Sequence, residues 1–89
     1  MRPERLSKAQ AVRLGDALGA GGSAARRFEA IAEALAEAGF DDIAAPGVPG
    51  ELATGYQTWR QSGRPPGDER LVEAMEELAA WLIEMRRLP

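Results

Sequence analysis

Residues 23–40, with the sequence SAARRFEAIAEALAEAGF, carry the pattern that decides the fold class of this chain. Phe28, Ile31 and Leu35 recur at spacings of three and four residues, which places them on one face of an α-helix. The opposite side presents glutamates at every fourth position and is expected to face solvent. The pattern therefore predicts an amphipathic helix over residues 23–38.

Three further helices are predicted from the same spacing of apolar residues. Glycine and proline residues separate the helical segments, and no segment has the alternating pattern of a strand. The four predicted helices span residues 7–18, 23–38, 50–61 and 68–87. We therefore expect an all-α fold, a compact bundle of about four helices with no sheet.

Capping residues mark the predicted helix ends. Ser7 and Gln10 have the spacing of a capping box, in which each side chain accepts the backbone N–H of the other residue. Serine and aspartate satisfy the first free N–H groups of a helix, and glycine adopts the left-handed conformation that ends one. The other predicted caps are Ser23 and Asp68 at helix starts, and Gly39 and Gly63 at helix ends.

The apolar stripes of the four helices predict one common core. Gly55 interrupts the third helix at a cost of about 1 kcal/mol relative to alanine, which indicates a bend or the close approach of another helix. The predicted core residues are Leu14, Leu18, Phe28, Ile31, Leu35, Leu52, Trp59, Leu71, Met75, Leu78 and Leu82.

The chain length predicts the domain organisation. A chain of 89 residues forms one small helical domain over residues 1–89, and we expect frayed termini at residues 1–6 and 88–89. A domain of this size buries only roughly 60–65% of the surface that its unfolded chain exposes. Association with a partner would therefore add useful stability.

The composition argues against catalysis. Histidine and cysteine are both absent, which removes the commonest general base, the commonest transition-metal ligand and the best thiol nucleophile. Glu29, Glu33 and Glu37 lie on one helix, whereas acid–base and metal sites need carboxylates that converge from several elements. We expect a non-enzymatic protein with no catalytic residues, no cofactor and no metal site.

The charge distribution indicates the kind of partner. The net charge is −3, and six acidic residues but no basic residue lie between positions 28 and 59. An acidic chain lacks the usual electrostatic signature of a nucleic-acid-binding protein. No stretch approaches the roughly 20 apolar residues of a membrane span, so we expect no membrane partner and a cytoplasmic location.

The last predicted helix has more apolar surface than it needs for packing against the rest of a small domain. Leu71, Leu78 and Leu82 belong to a stripe with alternating spacings of four and three, and Trp81 and Ile83 widen it beyond one face. The surplus apolar surface predicts a second packing partner.

We therefore interpret the chain as a small protein–protein interaction module of the adaptor or inhibitor type found in bacteria and phages, with a regulatory role. It is expected to bind a partner with a basic surface, and to form a homodimer through residues 71–85. The predicted partner-binding residues are Glu29, Glu33, Glu37, Glu73, Glu77, Trp81, Ile83 and Glu84.

An alternative interpretation is a DNA-binding transcriptional regulator with a helix-turn-helix-like segment around residues 50–82. Trp59, the segment SGRPP at positions 62–66, and Glu69, Leu71 and Leu82 resemble the end of the recognition helix and the following helix in the lambda-repressor-like family. The resemblance covers residues 59–82, and Pro46 and Pro49 interrupt the segment that would supply the first helix of the motif. The DNA-contacting residues that it implies are Gln57, Arg60 and Arg64.

Overall fold

The computed structural model describes residues 5–87, which form four α-helices and contain no strand. Helix α1 spans Lys8–Leu18, α2 spans Ala24–Glu37, α3 spans Gly50–Ser62 and α4 spans Glu69–Arg87. Helices α1, α2 and α4 pack closely against one another, and α3 packs against α4. The predicted all-α class and the four predicted helices are confirmed.

The dimensions of the fold are those of a small globular domain. The Cα radius of gyration is 11.9 Å, close to the value of about 12 Å expected for a compact chain of this length. The expected frayed termini, residues 1–6 and 88–89, fall mainly outside the described residues. Within the described part, Leu6 is buried in the core, so the segment before α1 contributes to the packing.

Local hydrogen bonds start α1 and α2 at the predicted caps. The Ser7 hydroxyl accepts the backbone N–H of Gln10 at 3.1 Å, and the Gln10 side-chain oxygen accepts the backbone N–H of Ser7 at 2.8 Å. The Ser23 hydroxyl accepts the backbone N–H of Arg26 at 3.2 Å. Both predicted caps are therefore confirmed.

Glycines in the left-handed conformation end α2 and α3, as predicted. Gly39 has φ of 93°, and the N–H of Phe40 then bonds the carbonyl oxygen of Leu35 at 3.1 Å. This backbone reversal directs the Phe40 ring into the core, where it is buried. Gly63 has φ of 73°, and its N–H bonds the carbonyl oxygen of Trp59 at 2.7 Å.

Residues 63–68 turn the chain from α3 into α4. Asp68 caps α4, because its carboxylate accepts the backbone N–H of Arg70 at 2.9 Å. This hydrogen bond lowers the pKa of the Asp68 carboxyl below its ordinary value. The predicted cap at Asp68 is confirmed.

Gly55 lies where three parts of the chain meet. A β-carbon at this position would lie 3.4 Å from Cγ of Pro66 and 3.8 Å from both Cδ1 of Leu71 and Cζ of Phe28. The close approach predicted from this glycine is therefore observed, and α4, α2 and the residue 63–68 turn all take part.

The core agrees with the prediction in its centre and differs at its edges. Leu18, Trp59 and Leu71 are only partly buried, because they lie at the border of the packed helices. Conversely, the core also takes in side chains outside the predicted list. These buried additions include Leu6, Phe40, Ile43, Tyr56, Val72 and Ala79.

Candidate functional site

A groove of about 390 Å³ opens between the α2–α3 connector and α4. Residues 46–49, the proline wall, form one side, and Leu52 of α3 also lines the groove. The opposite side is formed by Ala74, Glu77, Leu78 and Trp81 of α4. Glu77 is therefore the only residue with a charged side chain in the lining, and the other lining residues are apolar or glycine.

The sequence of the proline wall explains its shape. Pro46 and Pro49 exclude a helix here, because neither has a backbone N–H and each restricts the residue before it. Between them, the N–H of Val48 bonds the carbonyl oxygen of Ala45 at 3.0 Å and closes a turn. Helix α3 then begins directly after Pro49. The wall is thus a short, stiff turn held against the start of α3.

The other side of the groove is one face of α4. Ala74, Leu78 and Trp81 follow each other at spacings of four and three residues, so their side chains share a face. Leu78 is buried, whereas Trp81 is 50% exposed. Among the described residues, Trp81 and Val12 are the two large apolar side chains that are exposed. The groove therefore places an accessible indole beside apolar surface.

The predicted acidic residues of α4 lie next to this groove. Glu73, Glu77 and Glu84 are exposed, and the 3.6-residue period places them on one side of the helix with Trp81 at its edge. Ile83 differs, because two further residues rotate it by about 200° from Trp81. It is partly buried against the core and lies away from the groove.

The acidic residues of α2 are separate from the groove and partly engaged within the protein. Glu29 accepts a hydrogen bond of 2.9 Å from the indole N–H of Trp59. Glu37 pairs with Nε of Arg13 at 3.0 Å, and Glu33 is exposed. None of the three α2 glutamates lines the groove. The structure therefore divides the predicted partner-binding residues between two regions.

Two of the three predicted DNA-contacting residues donate hydrogen bonds inside the chain. Gln57 donates to the backbone carbonyl of Asp41 at 2.6 Å, and Arg60 donates to the same carbonyl. Arg60 also lies 3.6 Å from the Asp41 carboxylate. Arg64 is exposed in the turn before α4. DNA binding stays a prediction.

Tyr56 is the buried polar group next to these contacts. Its hydroxyl donates a hydrogen bond of 2.6 Å to the carbonyl oxygen of Phe40. Burial raises the pKa of the Tyr56 hydroxyl to about 12. The phenol is therefore neutral at physiological pH, and its environment is that of a structural hydrogen-bond donor.

The proline wall and Leu52 are parts of the groove that the sequence did not assign to the site, since Leu52 was predicted only as a core residue. The proline wall is the larger of the two parts. Its signal was the spacing of Pro46 and Pro49 around the apolar Val48, a pattern that alone indicates a connector. Trp81 and Glu77 were predicted as partner-binding residues, and the structure brings both into the groove.

These observations define a class of structure: a four-helix all-α domain with an open, mainly apolar groove lined on one side by a carboxylate. In residues 5–87, no three carboxylate side chains are grouped so as to hold a metal ion. Within the same residues, none of the helices combines the length and apolar character that a membrane crossing requires. Comparisons with protein-family models, curated proteins and solved structures find no match to this chain.

Proposed function

We propose that this chain is a non-enzymatic protein–protein interaction module that binds a partner with a basic surface. The observation that carries the proposal is the half-exposed indole of Trp81 beside the groove. The binding surface consists of this groove and the neighbouring acidic side of α4, with Glu73, Glu77 and Glu84. The module acts as a small adaptor or inhibitor.

The energetics of interfaces support this choice. Tryptophan is among the residues that contribute most to binding energy, because its large apolar ring is desolvated when a partner covers it. Carboxylates beside the ring increase the rate of association with a basic partner, and they disfavour the binding of acidic proteins. An apolar centre with a charged border is the usual arrangement of such a surface.

A homodimer through residues 71–85 uses the same side of α4 and competes with this proposal. In a symmetric contact, residue i of one copy meets residue j of the other, and residues face their own copies only near the two-fold axis. Because Glu77 lies beside the middle of residues 71–85, a contact centred on this segment brings the two Glu77 carboxylates close together. We therefore favour a different protein as the partner.

The test begins with affinity capture from extracts of the organism that encodes the chain. Captured proteins are identified by mass spectrometry, produced separately and mixed with the purified chain. Calorimetry then measures the dissociation constant for the natural sequence, for Trp81→Ala and for Gln61→Ala. Gln61 is an exposed residue of α3 outside the groove, so it serves as the control.

The expected result is a complex of defined stoichiometry that Trp81→Ala weakens at least about tenfold and Gln61→Ala leaves unchanged. The absence of any purified partner that depends on Trp81 would contradict the proposal. Mixing the chain with nonspecific duplex DNA at low salt tests the alternative, since binding that is lost in Arg64→Ala would favour a DNA-binding regulator.

A further inference from the structure

We propose that the groove binds one amphipathic α-helix of the partner, and that basic residues on one flank of this helix face Glu77. The inference rests on the proposed function and names the kind of segment that the surface recognises. It follows from three properties of the groove: its backbone hydrogen bonding, its length and the position of its charge.

The backbone of the groove favours a helical ligand over an extended one. Pro46 and Pro49 have no N–H, and the N–H of Val48 already bonds the carbonyl oxygen of Ala45. The facing backbone is α-helical, and its groups bond within α4. The wall offers only the N–H of Gly47 and the carbonyl oxygens of residues 46–48 as further backbone partners, and α4 offers none. An extended segment would therefore lose water from its own N–H and C=O groups on the α4 side without replacement. A helix satisfies these groups internally and needs only side-chain contacts.

The length of the groove suits about two turns of a ligand helix. Ala74 and Trp81 are seven residues apart on α4, which corresponds to about 10 Å at 1.5 Å per residue. Two turns of a helix extend about 11 Å and present apolar side chains at positions i, i+3 or i+4, and i+7. Such a stripe would contact Val48, Leu78 and Trp81 along the groove.

The charge distribution orients the ligand. The proline wall has no charged side chain, whereas the α4 side has Glu77 in the groove and Glu73 one turn before it. Lysine or arginine residues of the partner helix are therefore expected on the flank that faces α4 and not on the flank that faces the proline wall. A second copy of α4 is a poor occupant, because its exposed side is itself rich in glutamate.

The experiment uses a displayed library of random peptides of about 16 residues, long enough for a short helix to form on binding. Selection is performed on the natural chain, with removal of peptides that also bind Trp81→Ala. We expect the selected peptides to have apolar residues at spacings of three and four, with basic residues on one flank of the helix. Enrichment of alternating or proline-rich peptides would overturn the inference, as would the failure to obtain any peptide that depends on Trp81.

A selected peptide is then titrated into isotope-labelled protein and followed by amide and indole NMR signals. We expect the signals of Val48, Leu78 and the Trp81 indole to shift. Glu77→Gln should weaken binding by about two- to fivefold, as expected for one exposed ion pair. Exchange of the basic peptide residues for glutamate should also weaken binding, whereas Gln61→Ala should have no effect. Unchanged affinity in Glu77→Gln would overturn the assigned charge contact.

The outcomes separate this inference from the function on which it rests. If a purified partner needs Trp81 but inserts an extended segment, the interaction module stands and the helical ligand is wrong. If the chain alone self-associates and Trp81→Ala makes it monomeric, the groove is occupied by a second copy, and the inference is again wrong. If no partner depends on Trp81, both proposals fail.

Discussion

The hydroxyl of Tyr56 donates a hydrogen bond of 2.6 Å to the backbone carbonyl of Phe40, and both side chains are buried. This bond joins the middle of α3 to the turn that ends α2. Gln57 and Arg60 reinforce the junction, because both donate to the carbonyl of the next residue, Asp41. The position of α3 relative to α2 is therefore set by side-chain donors that converge on two backbone carbonyls.

Replacement of this buried hydroxyl should lower stability. Tyr56→Phe removes one hydrogen bond and leaves the Phe40 carbonyl with the longer contact from Arg60, at 3.3 Å. We expect a loss of about 1 kcal/mol in the free energy of unfolding, measured by urea denaturation. Ser62→Ala removes a hydroxyl that donates to the carbonyl of Thr58 and accepts the backbone N–H of Arg64. Because both bonds are exposed to water, this substitution should change stability less. Equal effects of the two substitutions would contradict a structural role for Tyr56.

The raised pKa of Tyr56 predicts a loss of stability in alkali. The unfolded chain ionises its tyrosine near the ordinary pKa of about 10, whereas the folded chain holds the pKa at about 12. The stabilisation is complete below pH of about 10 and is lost as the pH rises through 12, by roughly 3 kcal/mol in total. Tyr56→Phe should lack this component. The difference in unfolding free energy between the two proteins should therefore fall with pH, and a constant difference would contradict the assignment.

The space around Gly55 predicts opposite effects for two substitutions. Gly55→Ala adds a β-carbon at 3.4 Å from Pro66, which is near ordinary contact, and it improves helix propensity by about 1 kcal/mol. We expect a net gain of about 0.5 kcal/mol in the free energy of unfolding, measured by urea denaturation. Gly55→Val adds two further methyl groups against Phe28 and Leu71, and it should cost about 1–3 kcal/mol. If both variants are less stable than the natural sequence, Pro66 does not move away from the added β-carbon.

Arg27 is expected to contribute more to stability than its neighbour Arg26. Its guanidinium donates to the carbonyl of Gly22 at 3.1 Å and to the carboxylate of Glu69, which joins α2 to the start of α4. Because the pair with Glu69 is partly exposed, Arg27→Gln should cost about 1 kcal/mol, and less at high salt. Arg26→Gln removes the same charge from an exposed side chain and serves as the matched control. Equal stability of the two variants, measured at low salt, would contradict the contribution of the Arg27 contacts.

The candidate site was predictable only in part. Trp81 and Glu77 stand out in the sequence because α4 has more apolar and acidic surface than one stripe requires, and both residues line the groove. Ile83 is also apolar, but it lies against the core. The spacing of apolar residues within α4 does not show from which direction the other helices cover it. Likewise, the hydrogen bond from the Trp59 indole to Glu29 joins residues 30 positions apart. Local sequence spacing therefore does not predict this contact.

The sequence by itself determined the four helices and their ends. The capping box of Ser7, the cap at Asp68 and the left-handed Gly39 and Gly63 act through hydrogen bonds within a few residues, so the local sequence is enough to predict where the helices begin and end. Only the tertiary structure decided which apolar side chains stay accessible. Burial depends on how helices pack across the chain, and the groove exists because the proline wall comes to lie beside Trp81.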